Sequence, residues 1–105
     1  QSNKFILGGD FNNSVLWDRG NNPNNFSNIL LFLQNLDFQS VYHNLFKEEY
    51  GYEKKPTFFH TKKESKSYHI DFLFLKAIHA KTVEMGSYSK WIKYSDHMPL
   101  VCEVE

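Results

Sequence analysis

Apolar residues along this chain fall into short runs, separated by stretches rich in asparagine, glycine and lysine. The first run, Phe5-Ile6-Leu7, is continuous and is followed by Gly8 and Gly9. A continuous apolar run closed by glycine predicts a short buried strand over 4–9. Residues 10–25 include WDRGNNPNN (17–25) and read as a loop. Phe26, Ile29, Leu30, Leu33 and Leu36 then recur at helical spacing. That spacing predicts a helix over 26–37, with Asn24 or Asn25 as its cap. Residues 38–43 alternate and read as a strand, and 45–55 are polar and irregular.

Pro56 introduces Thr57-Phe58-Phe59-His60, a short strand, with 62–66 as a hairpin tip and 68–75 as the return. In the return strand His69, Asp71, Leu73 and Leu75 share one face, and Ile70, Phe72 and Phe74 share the other. Both faces are mostly apolar, which predicts a central strand covered on both sides. Asp71 then sits among apolar neighbours, which is costly unless it has a partner. A strand over 78–85, a helical turn over 89–94 and a final strand over 100–104 complete the chain. No internal repeat or low-complexity tract is visible.

Composition narrows the picture. With 105 residues the chain makes one small domain. Ten Phe and six Tyr argue against disorder. Twelve basic and twelve acidic residues cancel, so no overall field draws the chain to nucleic acid or a membrane surface. A local patch would still serve a nuclease. The single cysteine, Cys102, forms no internal disulfide and no zinc-finger spacing. No apolar run is long enough to span a bilayer. The first residue is Gln1 rather than Met, which reads as a processed or excised piece and leaves a lost leader open. The compartment is not fixed; the cytoplasm is the expectation.

Three segments place acid, amide and imidazole groups near predicted strand ends: GGDFN (8–12), YHIDFLF (68–74) and SDHMPL (95–100). Each alone has a plain structural reading. Gly, Asp and Asn are turn residues, Asp71 reads as a satisfied buried carboxylate, and Asp96-His97 ahead of Met98-Pro99 as a turn. Together and in this order, GDFN, HIDFLF and SDHMPL resemble the endonuclease/exonuclease/phosphatase superfamily, which includes exonuclease III-like and DNase I-like nucleases, neutral sphingomyelinases and inositol polyphosphate phosphatases. The resemblance covers nearly the whole chain, with Thr57-Phe58 as a weaker match.

The resemblance implies an α+β fold: the C-terminal half of a four-layer α/β/β/α sandwich, mostly antiparallel sheet with one main helix, spanning 1–105. It implies hydrolysis of a phosphoester, by a nuclease or phosphodiesterase dependent on Mg2+ or Mn2+. Asp10 would orient or deprotonate the attacking water, or protonate the leaving oxygen. Asn12 would bind phosphoryl oxygens. Asp96, with Asp10, would ligate the metal. His97 would contact or protonate the phosphate, and Asp71 would hold His97 in one tautomer. Physical chemistry agrees with these roles. Phosphoryl transfer needs charge stabilisation and positioning, carboxylate oxygens suit Mg2+, and a carboxylate beside His97 fixes its ring.

The family's N-terminal half, with a further Asn and a metal-binding Glu, has no counterpart before GGDFN, so weak or no activity alone is expected. An open apolar sheet face is expected with it, covered by a second copy in a homodimer or by another polypeptide supplying the missing half. His69 and His60 are the further candidates for substrate contact, while His43 and His79 read as structural or exposed. Lys62, Lys63 and Lys66 read as a solvated tip that would touch a phosphate backbone if it overlies the cleft. Trp17 and Trp91 read as packing rather than base-stacking residues. Two other functions stand beside the nuclease: a phosphomonoesterase or lipid phosphodiesterase of the same superfamily, and a non-catalytic fragment or assembly module.

Overall fold

The strand that carries Asp71 organises the molecule, because its alternating residues Phe72 and Phe74 supply the centre of the apolar core. In the computed structural model, which describes residues 3–105, this strand is β5 (Asp71–Lys76). It lies between β1 (Phe5–Asp10) and β2 (Gln39–Ser40) in an antiparallel three-stranded sheet. Phe72 and Phe74 pack with Phe26 and Leu33 of α1 (Phe26–Asn35), and Phe11, Val15, Leu30, Phe38 and Tyr50 surround them. The order continues through α2 (Val41–Phe46), the β3–β4 pair (Phe58–Phe59 and Ser67–Tyr68) and the hairpin of β6 (Ala80–Met85) and β7 (Leu100–Val104). A short helix, α3 (Tyr88–Trp91), interrupts that hairpin. The fold is α+β with antiparallel sheets, and α1 is its longest helix. No helix among the described residues is long and apolar enough to cross a membrane.

Four sequence expectations are corrected. The first strand is neither closed by its glycines nor buried: β1 runs through Gly8 and Gly9 to Asp10 and is exposed at every position. Phe5 is 48% and Ile6 63% exposed. The apolar run reads as an interior strand, but β1 is an edge strand of the sheet. β5 is central as expected, but its second face is covered only in part: Leu75 there is buried and Leu73 is not. Phe72 and Phe74 are buried under α1, whereas Leu73 on the other face is half-buried.

The strand expected over 38–43 is two residues long and becomes α2. Ser40 caps that helix, its hydroxyl accepting the backbone N–H of His43 at 3.5 Å. The single return strand over 68–75 is two strands in different sheets. β4 pairs with β3, and β5 pairs with β1 and β2. The chain changes partner at His69-Ile70, where the Thr57 hydroxyl accepts the N–H of Ile70 and of Asp71 at 3.0 and 3.1 Å. His69 and Asp71 consequently do not share a strand face.

Both ends of α1 use side chains that spacing does not identify. Asn25 occupies the cap position without a capping hydrogen bond. The Asp18 carboxylate accepts from the N–H groups of Phe26 and Ser27 instead, at 2.7 and 3.2 Å. An anion there also suits the helix dipole. At the other end Asp37 is left-handed (φ 68°), and the Phe38 N–H reaches back to the Leu33 carbonyl at 3.0 Å. This is a glycine-type helix stop made with aspartate, which tolerates that conformation better than most residues.

Candidate active site

β1 and β5 run antiparallel with Asp10 directly opposite Asp71. Gly8 lies opposite Leu73, and a Cβ there would stand 2.9 Å from Leu73 Cδ1, so the close approach of β1 to β5 needs glycine. Gly9 has φ +145°, a conformation that side-chain-bearing residues avoid. Phe11 then turns into the core, its ring 5.6 Å from those of Phe72 and Phe74, and its N–H donates to the Ile70 carbonyl. Asp10 is thereby fixed at the C-terminal end of its strand with its carboxylate outward. Asn12 is left-handed (φ 49°), and its N–H donates to Asp10 Oδ1 at 2.8 Å in a tight Asx-type turn. The Asn12 side chain is exposed and makes no hydrogen bond among the described residues.

His97 comes from the distant SDHMPL segment. Ser95 Oγ accepts the His97 N–H at 2.9 Å, and the backbone bridges to Phe58. The Phe58 ring packs 4.8 Å from the imidazole. Nδ1 of His97 donates to Asp71 Oδ2 at 2.8 Å, since a carboxylate can only accept. This leaves Nε2 facing Asp10, whose Oδ2 is 3.6 Å away, near enough for charge attraction but too far for a hydrogen bond. Ligand-type atoms of Asp10, Asp71 and His97 all lie within 4.8 Å of one another. All three side chains remain reachable from solvent. Beside them a 270 Å3 cleft is lined by Gly8, Gly9, Asp71, Leu73, Met98 and Leu100 on the open face of the sheet. A larger cleft of 680 Å3 lies against α1 and α2 and contains none of the three.

Thr57 holds this arrangement and is the residue that sequence reasoning gave no role. It is fully buried. Its hydroxyl takes the two N–H groups at the start of β5, its own N–H donates to Tyr68, and its carbonyl accepts from Met98. One side chain and one peptide unit therefore tie the strand of Asp71 to the segment of His97. The sequence signals were a threonine after Pro56 at the head of an aromatic strand and the weaker match of Thr57-Phe58 in the resemblance.

The remaining candidates separate. Asp96 adjoins His97 and its carbonyl accepts from Phe59, but its carboxylate makes no hydrogen bond among the described residues and lies outside the three-residue group. His60 is exposed on a one-turn 3-10 helix (His60–Lys62), with its ring 6.1 Å from that of Phe58. His69 is not beside the Asp10–Asp71–His97 cluster. It is buried, 7% exposed, with its ring against Tyr42, His43 and Phe72. His43 is likewise buried and His79 exposed. Lys62, Lys63 and Lys66 are exposed at the hairpin tip. No family model matches the chain, and comparison with known proteins and with solved structures gave no match.

Proposed function

We propose that this chain is a divalent-metal-dependent phosphoester hydrolase of the endonuclease/exonuclease/phosphatase type, acting on phosphodiesters and carrying the C-terminal portion of that site. The observation that supports it is the line Asp71–His97–Asp10, with a 2.8 Å hydrogen bond on one side of the imidazole and a carboxylate 3.6 Å away on the other. Asp71 holds Nδ1–H and leaves Nε2 facing Asp10. There it can donate to a phosphoryl oxygen when protonated or accept from a water when neutral. Asp10 would orient that water, and Asn12, exposed two residues beyond, would offer its amide to the phosphoryl group.

A hard cation fits the donors present. Asp96 has a carboxylate without a protein partner among the described residues, and Asp10 has an oxygen not used by the Asn12 N–H. Mg2+ or Mn2+, held by one or two carboxylates and water, would neutralise charge on the phosphoryl oxygens. The exposed face of β1 supports the further reading that a second polypeptide surface, in the simplest case a second copy, covers it.

The test is hydrolysis of an activated phosphodiester, an activated phosphomonoester and abasic-site DNA with Mg2+ or Mn2+. The expected result is slow, metal-dependent turnover with a preference for diesters. Preference for the monoester would move the assignment to a phosphomonoesterase. A folded chain with no turnover on any of the three would favour a non-catalytic module.

A further inference from the structure

A second set of imidazole and carboxylate groups lies on the Phe72 side of β5, away from Asp71. His43 comes from α2, Glu53 from the loop after it, and His69 from the turn into β5. One ligand-type atom from each lies within 4.8 Å of the others. Both imidazoles are buried, and the Glu53 side chain is only 6% exposed. His69 is the informative member. Its Nδ1 donates to the Lys55 carbonyl at 2.8 Å, which fixes the ring hydrogen there and leaves Nε2 with a free lone pair. That Nε2 is buried and has no hydrogen-bond partner among the described residues. An unmet buried acceptor is costly and calls for a ligand.

Each of the three also has an outer partner. Lys55 O holds His69, Ser40 Oγ lies 2.6 Å from His43 Nδ1, and the Gly51 N–H donates to Glu53 Oε1 at 3.1 Å. Metal-binding histidines are held in this way at the nitrogen that does not face the ion. Between them, His43 Nε2 and Glu53 Oε2 are 2.6 Å apart. Burial pushes the Glu53 carboxyl upward, but the hydrogen bond from His43, a backbone hydrogen bond and nearby imidazole charge bring it net below its usual range. Burial holds His69 below the ordinary imidazole value.

We propose that His43, Glu53 and His69 form a binding site for a transition-type divalent cation, Zn2+ in the first instance, separate from the Asp10–Asp71–His97 cluster. Two imidazoles and one carboxylate suit Zn2+ rather than Mg2+. Bonds of about 2 Å in a tetrahedron place ligand atoms roughly 3.3 Å apart, so His43 Nε2 and Glu53 Oε2, now 2.6 Å apart, open on binding while their separations from His69, within 4.8 Å, adjust to match. His43 must then free Nε2, with its ring hydrogen on Nδ1 donating to Ser40 Oγ. A fourth position is left for water, and a 120 Å3 cleft lined by Gly51, Glu53, Tyr68 and His69 gives access from the surface. The ion ties α2, the 47–57 loop and the entry to β5 together. The inference does not depend on the phosphoester reading.

The test is titration of the metal-free chain with Co2+, read by its visible absorption, followed by competition with Zn2+ and with excess Mg2+. One Co2+ per chain with a tetrahedral spectrum is expected, displaced by Zn2+, not by Mg2+, and unchanged in His97→Ala. His69→Gln should lose that binding, and Ser40→Ala should weaken it roughly tenfold. If His69→Gln does not fold, X-ray absorption of the wild-type Zn2+ complex reads the ligands directly, with two imidazoles expected. No saturable binding by the folded wild-type chain, displacement by Mg2+, binding that survives His69→Gln, or fewer than two imidazoles would each overturn the proposal.

Discussion

Asp10 and Asp71 stand directly opposite one another across β1 and β5, and His97 reaches both carboxylates. Like charges in opposed strand positions destabilise a sheet. The pair persists here with an imidazole set against it, from a segment 26 residues beyond Asp71.

Asp10→Asn should therefore raise stability while abolishing turnover. The gain expected is about 0.2–1 kcal/mol, toward the low end because the Asp10 side chain is partly solvated. Denaturant unfolding of the two proteins checks the sign. A loss of stability would mean that the Asp10–His97 attraction outweighs the Asp10–Asp71 repulsion.

Thr57→Val keeps the shape of the side chain and removes the acceptor for the Ile70 and Asp71 N–H groups. A loss of about 1–3 kcal/mol is expected for groups left unpaired in a fully buried position. Turnover should fall with little change in KM, because the segments of Asp71 and His97 lose their common tie. Stability unchanged by the substitution would show that water replaces the hydroxyl.

Tyr42 and Glu48 give the chain a pH signature at both ends of the scale. The Tyr42 hydroxyl donates to Glu48, and that hydrogen bond draws the Glu48 carboxyl below its usual range. The stability that comes with a lowered carboxyl is complete above its unfolded value of about 4.3 and is lost as pH falls through the lower folded value. Burial, helped by Glu48, pushes the Tyr42 hydroxyl up. Its contribution is complete below about 10 and is lost as pH rises toward the higher folded value. Tyr42→Phe should cost about 1 kcal/mol near neutrality and flatten both limbs of a plot of melting temperature against pH. A wild-type curve no steeper than the variant's would refute the assignment.

The uncovered face of β1 should make the chain self-associate. Light scattering is expected to show a dimer of the 12.5 kDa chain at high concentration. Ile6→Lys should return it to a monomer without unfolding it, since Ile6 is 63% exposed in the single chain. A wild-type chain that stays monomeric would leave the face to a different polypeptide.

What was legible in the sequence follows from how local each signal was. The periodicity of Phe26, Ile29, Leu30 and Leu33 predicted α1, and the two mostly apolar faces of the strand expected over 68–75 predicted the central position of β5. The pairing of His97 with Asp71 was expected from the resemblance and from the need of a buried carboxylate for a partner. What failed depended on distant groups. The Asp18 cap lies eight residues from the helix start it serves. The break at His69-Ile70 is made by Thr57, thirteen residues upstream of Ile70. Without that break His69 reads as a neighbour of Asp71, whereas it belongs with His43 and Glu53. The β1 glycines mislead for a further reason: in this strand Gly8 serves close approach to β5 rather than termination.

The most direct measurement is turnover of an activated phosphodiester by the purified chain, with and without Mg2+, for the wild type and for His97→Ala. Slow hydrolysis that requires the metal and falls by roughly 10²–10⁴ in His97→Ala is expected for an acid–base imidazole. Hydrolysis that survives His97→Ala, or none above the metal-only blank from a well-folded wild-type chain, would contradict the assignment of Asp10, Asp71 and His97 as a phosphoester hydrolase site.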